Sequence, residues 1–393
     1  MTGIRKVKTA VIGCGMISSI YIRNLKNLFY IIDLVAVSNR TREAAEKQAA
    51  AFGIERVMTA DEIAASDEIE LVVNLTPPAA HYEVIRRMLL AGKHVYTEKM
   101  FTTDLEQARE LIRIADEKGL YLGVAPDTVL GAGIQTARRI LDTGLIGTPT
   151  SVQVCVNRNQ SLNSETFRFL RSSGGSLPYD VGIYYIGAML ALLGPVKTVL
   201  AAGKPAPVHE VRQLFTDEPG TSWQIPGINV VSAALEFDSG VIGSVLFDGN
   251  SINATRHGFT VYGTDGILLV GDPNEFGGRC SLILPDGSET VIPFTHGYDG
   301  VNTIGEPQWF DGYGHRGIGA AEMAWAIRKG RRNNRCSREY GLHCMEVLMG
   351  MDESAASGRA YAPQSRFVMD PLPQGYYSSA NGQRADAERS LTD

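Results

Sequence analysis

The chain has 393 residues, too many for one ordinary hydrophobic core, so two domains are expected. Its 44% hydrophobic and 20% charged residues make a globular mix that excludes disorder of the whole chain. A net charge of −6 without a long basic run gives no patch for broad nucleic-acid binding, and no apolar stretch approaches the roughly 20 residues that span a bilayer.

From the N-terminus, residues 7–12 form a β-rich run behind a short basic flank. No small-residue cleavage site follows it, so it reads as a buried first strand and not as a signal peptide. Helical spacing over 17–28, a strand at 33–37 and a helix at 43–52, closed by Gly53, come next. The pattern repeats as a strand at 71–75, a helix at 81–90, a strand at 94–96, a helix at 104–118 and a strand at 121–124. Continuous apolar strands separated by helices predict an α/β Rossmann domain with a doubly wound parallel sheet over residues 1–125.

After Pro126 the pattern changes. One helix, at 134–141, precedes strand-like segments at 151–156, 196–202, 230–237, 240–247, 259–262, 267–270, 280–284 and 290–294. Asp238-Ser239-Gly240 and Pro285-Asp286-Gly287 are hairpin turns. Helices return at 318–329 and 339–356. Residues 126–374 therefore read as an α+β domain with a large open mixed or antiparallel sheet, and 375–393 as a flexible tail. The basic cluster Arg328, Lys329, Arg331, Arg332, Arg335 and Arg338 reads as a solvated helix end favoured by the helix dipole. The five cysteines, Cys14, Cys155, Cys280, Cys336 and Cys344, form no CxxC pair; free, mostly buried thiols, no metal site and a cytoplasmic protein are expected.

The first strand runs into Gly13-Cys14-Gly15-Met16-Ile17-Ser18. Gly13 permits a tight turn, Gly15 lets backbone approach a pyrophosphate, and the following helix offers free N–H groups to that anion. Ser18 is small enough to pack helix against strand. Gly13, Gly15, Met16 and Ile17 are thus candidates for dinucleotide binding. At the end of the second strand, where an acidic residue accepts from the ribose of NAD, the chain has Asn39 followed by Arg40. Asn39 removes a repulsion of about 4 kcal/mol, for unit charges 4 Å apart at a partly screened site, and Arg40 can clamp a 2′-phosphate. NADP is favoured over NAD; an NAD ribose bonded by Asn39, with Arg40 and Arg42 merely solvated, is the other reading.

Later motifs make the chain resemble the glucose–fructose oxidoreductase/inositol dehydrogenase (Gfo/Idh/MocA) family. They are Asn74-Leu75-Thr76-Pro77-Pro78 with His81, Ala91-Gly92-Lys93-His94-Val95 with Glu98-Lys99, Gly174-Gly175, Asp180-x-Gly182 and Arg316-Gly317-Ile318-Gly319. The resemblance covers about residues 5–372 and assigns substrate binding and oligomerisation to the domain at 126–374. It implies that Thr76, Pro77, His81 and Glu98 lie by the cofactor, with His81 capping or packing its helix. It places Lys99 between the nicotinamide and the reacting carbinol, where a cation stabilises a developing alkoxide. Many relatives read D-x-G-x-H; here Tyr184 stands at the His position, as in some sugar oxidoreductases of the family. Lys99 is expected to lower the Tyr184 phenol toward working pH, with Asp180 on the same helix face orienting Lys99. The family continues past Lys99 with Pro; Met100 here removes a rigid bond that can be cis.

The implied catalytic set is Lys99, Asp180 and Tyr184. Asn157 and Arg158 join these three as substrate-binding candidates, with Arg168, Tyr185, Trp309, His315 and His343 as further pocket candidates. Arg158, Arg168 and Arg171 leave an anionic substrate open. Glu322 and His343 read equally as ordinary helix residues. The implied activity is hydride transfer between NAD(P) and a secondary alcohol or ketone of a sugar, polyol or inositol, by a homodimer or homotetramer formed through the C-terminal sheet, without nucleic-acid or membrane partners. Two alternatives stand beside it: a redox-neutral glycosidase-type enzyme of the same family, and a non-catalytic dinucleotide-sensing regulator.

Overall fold

The computed structural model describes residues 4–211, 218–252, 257–300, 314–331 and 334–373. Trp309, Arg332 and the tail at 375–393, all singled out above, lie outside the described residues.

Six strands, β1 (Val7–Ile12), β2 (Ile32–Ser38), β3 (Arg56–Val57), β4 (Leu71–Asn74), β5 (His94–Thr97) and β6 (Leu122–Val124), form one parallel sheet. Its order is β3-β2-β1-β4-β5-β6, the doubly wound arrangement with its switch point between β1 and β4. The helices between are α1 (Ser18–Asn27), α2 (Arg42–Phe52), α3 (Ala60–Ala65), α4 (Pro78–Leu90) and α5 (Leu105–Glu117). All four residues of β4 are buried, which is why Leu71, Val72 and Val73 run apolar without alternation before Asn74. Helix α4 starts three residues before the predicted position because Pro78 occupies its first turn, where a missing N–H is harmless. Sequence periodicity missed β3, only two residues long, and α3, under two turns. A capping box between Thr59 and Glu62 starts α3, with both reciprocal hydrogen bonds made, at 2.7 and 3.2 Å.

The second domain holds α6 (Ala132–Asp142), β7 (Pro149–Asn157), α7 (Gln160–Thr166), α8 (Ile183–Leu193) and β8 (Val196–Pro205). A small pair, β9 (His209–Glu210) and β10 (Ser222–Trp223), was not foreseen. Then come β11 (Ile228–Phe237), β12 (Ile242–Asp248), β13 (Gly258–Gly263), β14 (Ile267–Leu269), β15 (Cys280–Ile283) and β16 (Glu289–Ile292). Eight of these strands form an open sheet in the order β16-β15-β14-β13-β7-β12-β11-β8, mixed because β7 and β12 run parallel. Along β11 and β12, Val231, Ala233, Leu235, Val245 and Phe247 point inward and are buried, while Ile242 and Leu246 stay exposed on the other face. Every residue of α8 is buried, so this helix is apolar all round.

The chain then returns to the first domain, which a division at 126 does not anticipate. Helix α9 (Ile318–Lys329) packs on β5 and β6, and α10 (Arg338–Ser357) spans from α5 and β6 to α8 and β8. This return corrects the reading of the basic cluster. Arg328 grips both carboxylate oxygens of Glu70, at 2.6 and 2.9 Å, and Arg335 pairs with Glu322, which is fully buried, at 2.7 Å. Arg328 ties α9 to the first domain, and Arg335 ties the segment after α9 back to that helix; neither is simply solvated. All five cysteines are free, and four are buried. Among the described residues, no helix is long and apolar enough to cross a membrane.

Candidate active site

Every strand from β1 to β6 except β3 delivers a site residue at its carboxyl edge. After β1, Gly13 takes φ +107°, and a Cβ there would lie 2.6 Å from the Leu75 carbonyl carbon, so only glycine fits. A Cβ on Gly15 would meet open space; its smallness is not required by protein packing, which leaves room for a ligand to approach the backbone. The amides of Gly15, Met16 and Ile17 have no acceptor among the described residues. Ser18, buried, donates to the Gly15 carbonyl at 2.6 Å and fixes the turn on α1. Free amides, an open Gly15 and a helix start make a cradle that fits a dinucleotide pyrophosphate.

After β2, Asn39 Oδ1 accepts from the Cys14 amide at 3.1 Å, and its Nδ2 donates to Thr41. Arg42 pairs with Glu46 at 2.8 Å. Arg40 is exposed and makes no ion pair among the described residues. After β4, Asn74 Oδ1 accepts from the Thr76 hydroxyl at 2.7 Å and from its amide at 3.2 Å, and Pro77 leads exposed into α4. His81 lies beneath this loop, fully buried. Its Nδ1 is 2.5 Å from the Met100 carbonyl oxygen and its Nε2 is 2.7 Å from that of Thr76. Both nitrogens are thus engaged with backbone. His81 ties the Thr76 loop to the Lys99 loop and does not face a cofactor, which corrects its place among the cofactor contacts. Burial lowers its pKa.

After β5, Glu98 is buried; it accepts from the Tyr21 hydroxyl at 2.7 Å and from the Lys99 amide at 2.9 Å. The Lys99–Met100 peptide is cis despite the absence of proline. Lys99 Nζ donates to Asp180 Oδ1 at 2.9 Å and to the Asp180 carbonyl at 2.7 Å. Burial disfavours this ammonium, but Asp180, Tyr184 and Glu98 outweigh that and raise its pKa. Asp180 sits in a π-turn, Pro178–Gly182, that leads into α8. Its Oδ2 accepts from Gln160 Nε2 at 3.0 Å. Gln160, fully buried at the start of α7, was not foreseen.

Tyr184 projects from the first turn of α8, with Lys99 Nζ 5.6 Å from its ring centroid. Its hydroxyl has no hydrogen-bond partner among the described residues. The sequence-based expectation of a lowered phenol pKa is reversed: burial raises it above 10, and Arg316 and Lys99 only offset part of that. The second cation, Arg316, was also missed, although its segment was singled out. Its Cζ lies 5.1 Å from the same centroid. After β6, buried Asp127 accepts from the amides of Gly317 and Gly319 at 2.8 and 3.2 Å, and burial pushes its carboxyl up to about 6.

Several pocket candidates are engaged in other contacts, some of them in the core. Tyr185 is fully buried, packs against Phe247 and Phe259, and donates to Asp272 at 3.0 Å. His343 bridges the Val196 amide and Ser365, both at 2.9 Å. His315 accepts from the Gly300 amide at 3.1 Å between Phe276 and Tyr298. Arg168 and Arg171 both pair with Glu218, and Arg171 stacks on Trp223 at 3.5 Å. Asn157 donates to the Ile252 carbonyl at 3.0 Å. Arg158, on the loop that carries Gln160 to Asp180, makes no ion pair among the described residues.

A Rossmann cradle beside a lysine, an aspartate and a tyrosine contributed by a second domain defines a two-domain dinucleotide-binding oxidoreductase. Residues 7–125 match the oxidoreductase family with NAD-binding Rossmann fold (GFO/IDH/MocA), and residues 134–269 match the GFO/IDH/MocA C-terminal domain. The chain belongs to this family. An uncharacterized oxidoreductase of Schizosaccharomyces pombe is 32% identical over 53% of this chain, a match that spans 58% of that relative's length. The scyllo-inositol 2-dehydrogenase (NADP(+)) of Bacillus subtilis is 28% identical over 68% of this chain and 71% of its own. Levoglucosan dehydrogenase, solved with NADH and L-sorbose, shares the fold at TM-score 0.76 and 19% identity, over 91% of this chain and 99% of its own.

Proposed function

We propose that the protein is an NADP-preferring oxidoreductase that moves a hydride between the nicotinamide and a secondary alcohol or ketone of a sugar, polyol or inositol. The observation that carries this reading is the Lys99–Asp180 pair at 2.9 Å with an unpartnered Tyr184 hydroxyl beside it. Relatives named as inositol and D-xylose dehydrogenases support the substrate class. Relatives of both NADP(+) and NAD(+) specificity occur. The preference for NADP rests on exposed Arg40 beside a neutral Asn39.

The amides of Gly15, Met16 and Ile17 would hold the pyrophosphate, and Arg40 the 2′-phosphate. When bound, the nicotinamide supplies the hydride acceptor or donor. The chain's own work is on the proton and the charge. Gln160 holds Asp180, Asp180 holds Lys99, and the ammonium faces the oxygen of the reacting carbon, where negative charge builds during reduction. Tyr184 is a neutral phenol at physiological pH, ready to donate to that oxygen; in oxidation its phenolate accepts the hydroxyl proton. Asn157, at the end of β7, and Arg158, on the loop before α7, would flank the substrate. The outward sheet face, with Ile242 and Leu246 exposed, is the surface through which copies would associate.

The intact lysine and aspartate disfavour a sensor with a dead site. The test is the change in nicotinamide absorbance with NADP and NAD separately, across inositols, aldoses and keto-sugars. Turnover of a sugar or polyol, faster with NADP, is expected. Bound nucleotide without turnover on any of them would contradict the reading.

A further inference from the structure

Lys99 and Arg316 both approach the Tyr184 ring, but their charges are not equally free. Lys99 is neutralised at contact distance by Asp180, at 2.9 Å. Among the described residues, no carboxylate pairs with Arg316 at contact distance. Its Nη2 donates to the neutral Asn274 side chain at 2.8 Å, and its Nη1 is buried with no hydrogen-bond partner among the described residues. A dipole of Lys99 and Asp180 falls off with distance faster than the field of a lone guanidinium.

We propose that Arg316 is a positioning residue for proton transfer: its guanidinium, and not the Lys99 ammonium, is the main cation that keeps the Tyr184 phenol acidic enough to work. The proposal rests on the reading of Tyr184 as proton donor and acceptor. The groups that act on the phenol are Arg316 before α9, Lys99 and Glu98 after β5, and Asp180 in the π-turn before α8. Burial raises the phenol's pKa most; Arg316 is the largest opposing influence, Lys99 the next, and the two carboxylates add to the rise. Arg316 keeps its own charge although buried, because Tyr184, Glu98, Tyr21 and Asp127 all favour the cation. Its aim is fixed through the second domain. The Tyr185 hydroxyl and the Asn274 amide both donate to Asp272 Oδ1, at 3.0 and 2.9 Å, and Asn274 in turn receives the guanidinium. Adjacent tyrosines of α8 are therefore divided: Tyr185 helps seat the arginine that tunes Tyr184.

The experiment is a direct titration of Tyr184 in the full chain. Protein is labelled with 3-fluorotyrosine, which lowers phenol pKa values into a range where the protein stays folded. The resonance of residue 184 is identified by its loss in Tyr184→Phe. Arg316→Gln is expected to raise the Tyr184 pKa by at least about one unit, removal of the whole neutral pair in Lys99→Met/Asp180→Asn by less, and Arg316→Lys to restore most of the shift. An unmoved titration in Arg316→Gln, or a larger upward shift in Lys99→Met/Asp180→Asn, overturns the proposal. Should Arg316→Gln fail to fold, Asn274→Ala decides: it leaves the guanidinium in place but unanchored, and an unmoved Tyr184 pKa there overturns the proposal too. Full turnover in Tyr184→Phe would instead reject Tyr184 as the proton carrier, while the titrations still report whether Arg316 sets its acidity.

Discussion

Lys99 Nζ and Asp180 Oδ1 meet at 2.9 Å although 81 residues and a domain boundary separate them. One comes from the carboxyl edge of the parallel sheet and the other from the turn that starts α8. The pair is one of the points at which the two domains close on each other, so under the proposed function its order couples domain packing to catalysis.

The buried phenol predicts opposite pH behaviour in the two directions. Because its pKa is raised above 10, the phenolate fraction below pH 10 climbs about tenfold per pH unit. Oxidative kcat/KM should rise with that slope from neutral pH without levelling before pH 10. Reductive kcat/KM, which needs the neutral phenol, should stay flat over the same range. A plateau of the oxidative profile near neutrality would show that another group takes the proton.

Asn39→Asp places a carboxylate at the position next to Arg40, where it would repel a 2′-phosphate. Binding of NADP should weaken by at least about tenfold, or ~1.4 kcal/mol, while NAD binding holds or improves. Calorimetric titration of both nucleotides reads this directly. An unchanged ratio of affinities would remove the basis for the NADP preference.

Two buried histidines predict acid sensitivity. His343 and His315 are pushed down to about 4, chiefly by burial, and each uses one ring nitrogen to accept from a backbone amide. Below the ordinary value of 6.5 the unfolded chain binds protons that the folded chain refuses. Their stabilising contribution is thus fully present above pH 6.5 and is lost as pH falls toward 4. Each histidine should lower the unfolding free energy by about 1.4 kcal/mol per pH unit in that window. Urea melts at several pH values test this, and His343→Gln should flatten the slope by about one proton.

Glu322 and Arg335 form a buried pair at 2.7 Å, with the carboxylate also accepting from the Arg335 amide at 2.9 Å. Glu322→Ala leaves the guanidinium partner without its charge. It should destabilise the fold by about 3–5 kcal/mol. A loss under about 1 kcal/mol in a denaturant melt would mean that the site rehydrates freely.

What the sequence made legible were residues whose chemistry is written locally. The glycine turn needs its φ and its smallness, so Gly13, Gly15 and Ser18 stand out against the flanking strand and helix. Lys99, Asp180 and Tyr184 were singled out through short motifs shared with the family, and the structure brings them together. Gln160, Asp127 and Arg316 are not legible, since each acquires its role from a partner brought in by tertiary packing. The phenol acidity was misjudged for the same reason: a nearby cation can be guessed from spacing, but the burial that outweighs it cannot. Tyr185, His343 and Glu322 show the converse, polar groups that suit a pocket on paper but satisfy backbone or buried charge in the core.

The central claim, that Lys99 serves the reacting oxygen of a sugar or polyol, is tested most directly by comparing the wild type with Lys99→Met on nicotinamide absorbance, with nucleotide binding measured on the same samples. The predicted result is nucleotide affinity close to wild type with turnover reduced at least about 100-fold. Turnover near the wild-type rate in Lys99→Met, with the nucleotide bound, would contradict the account.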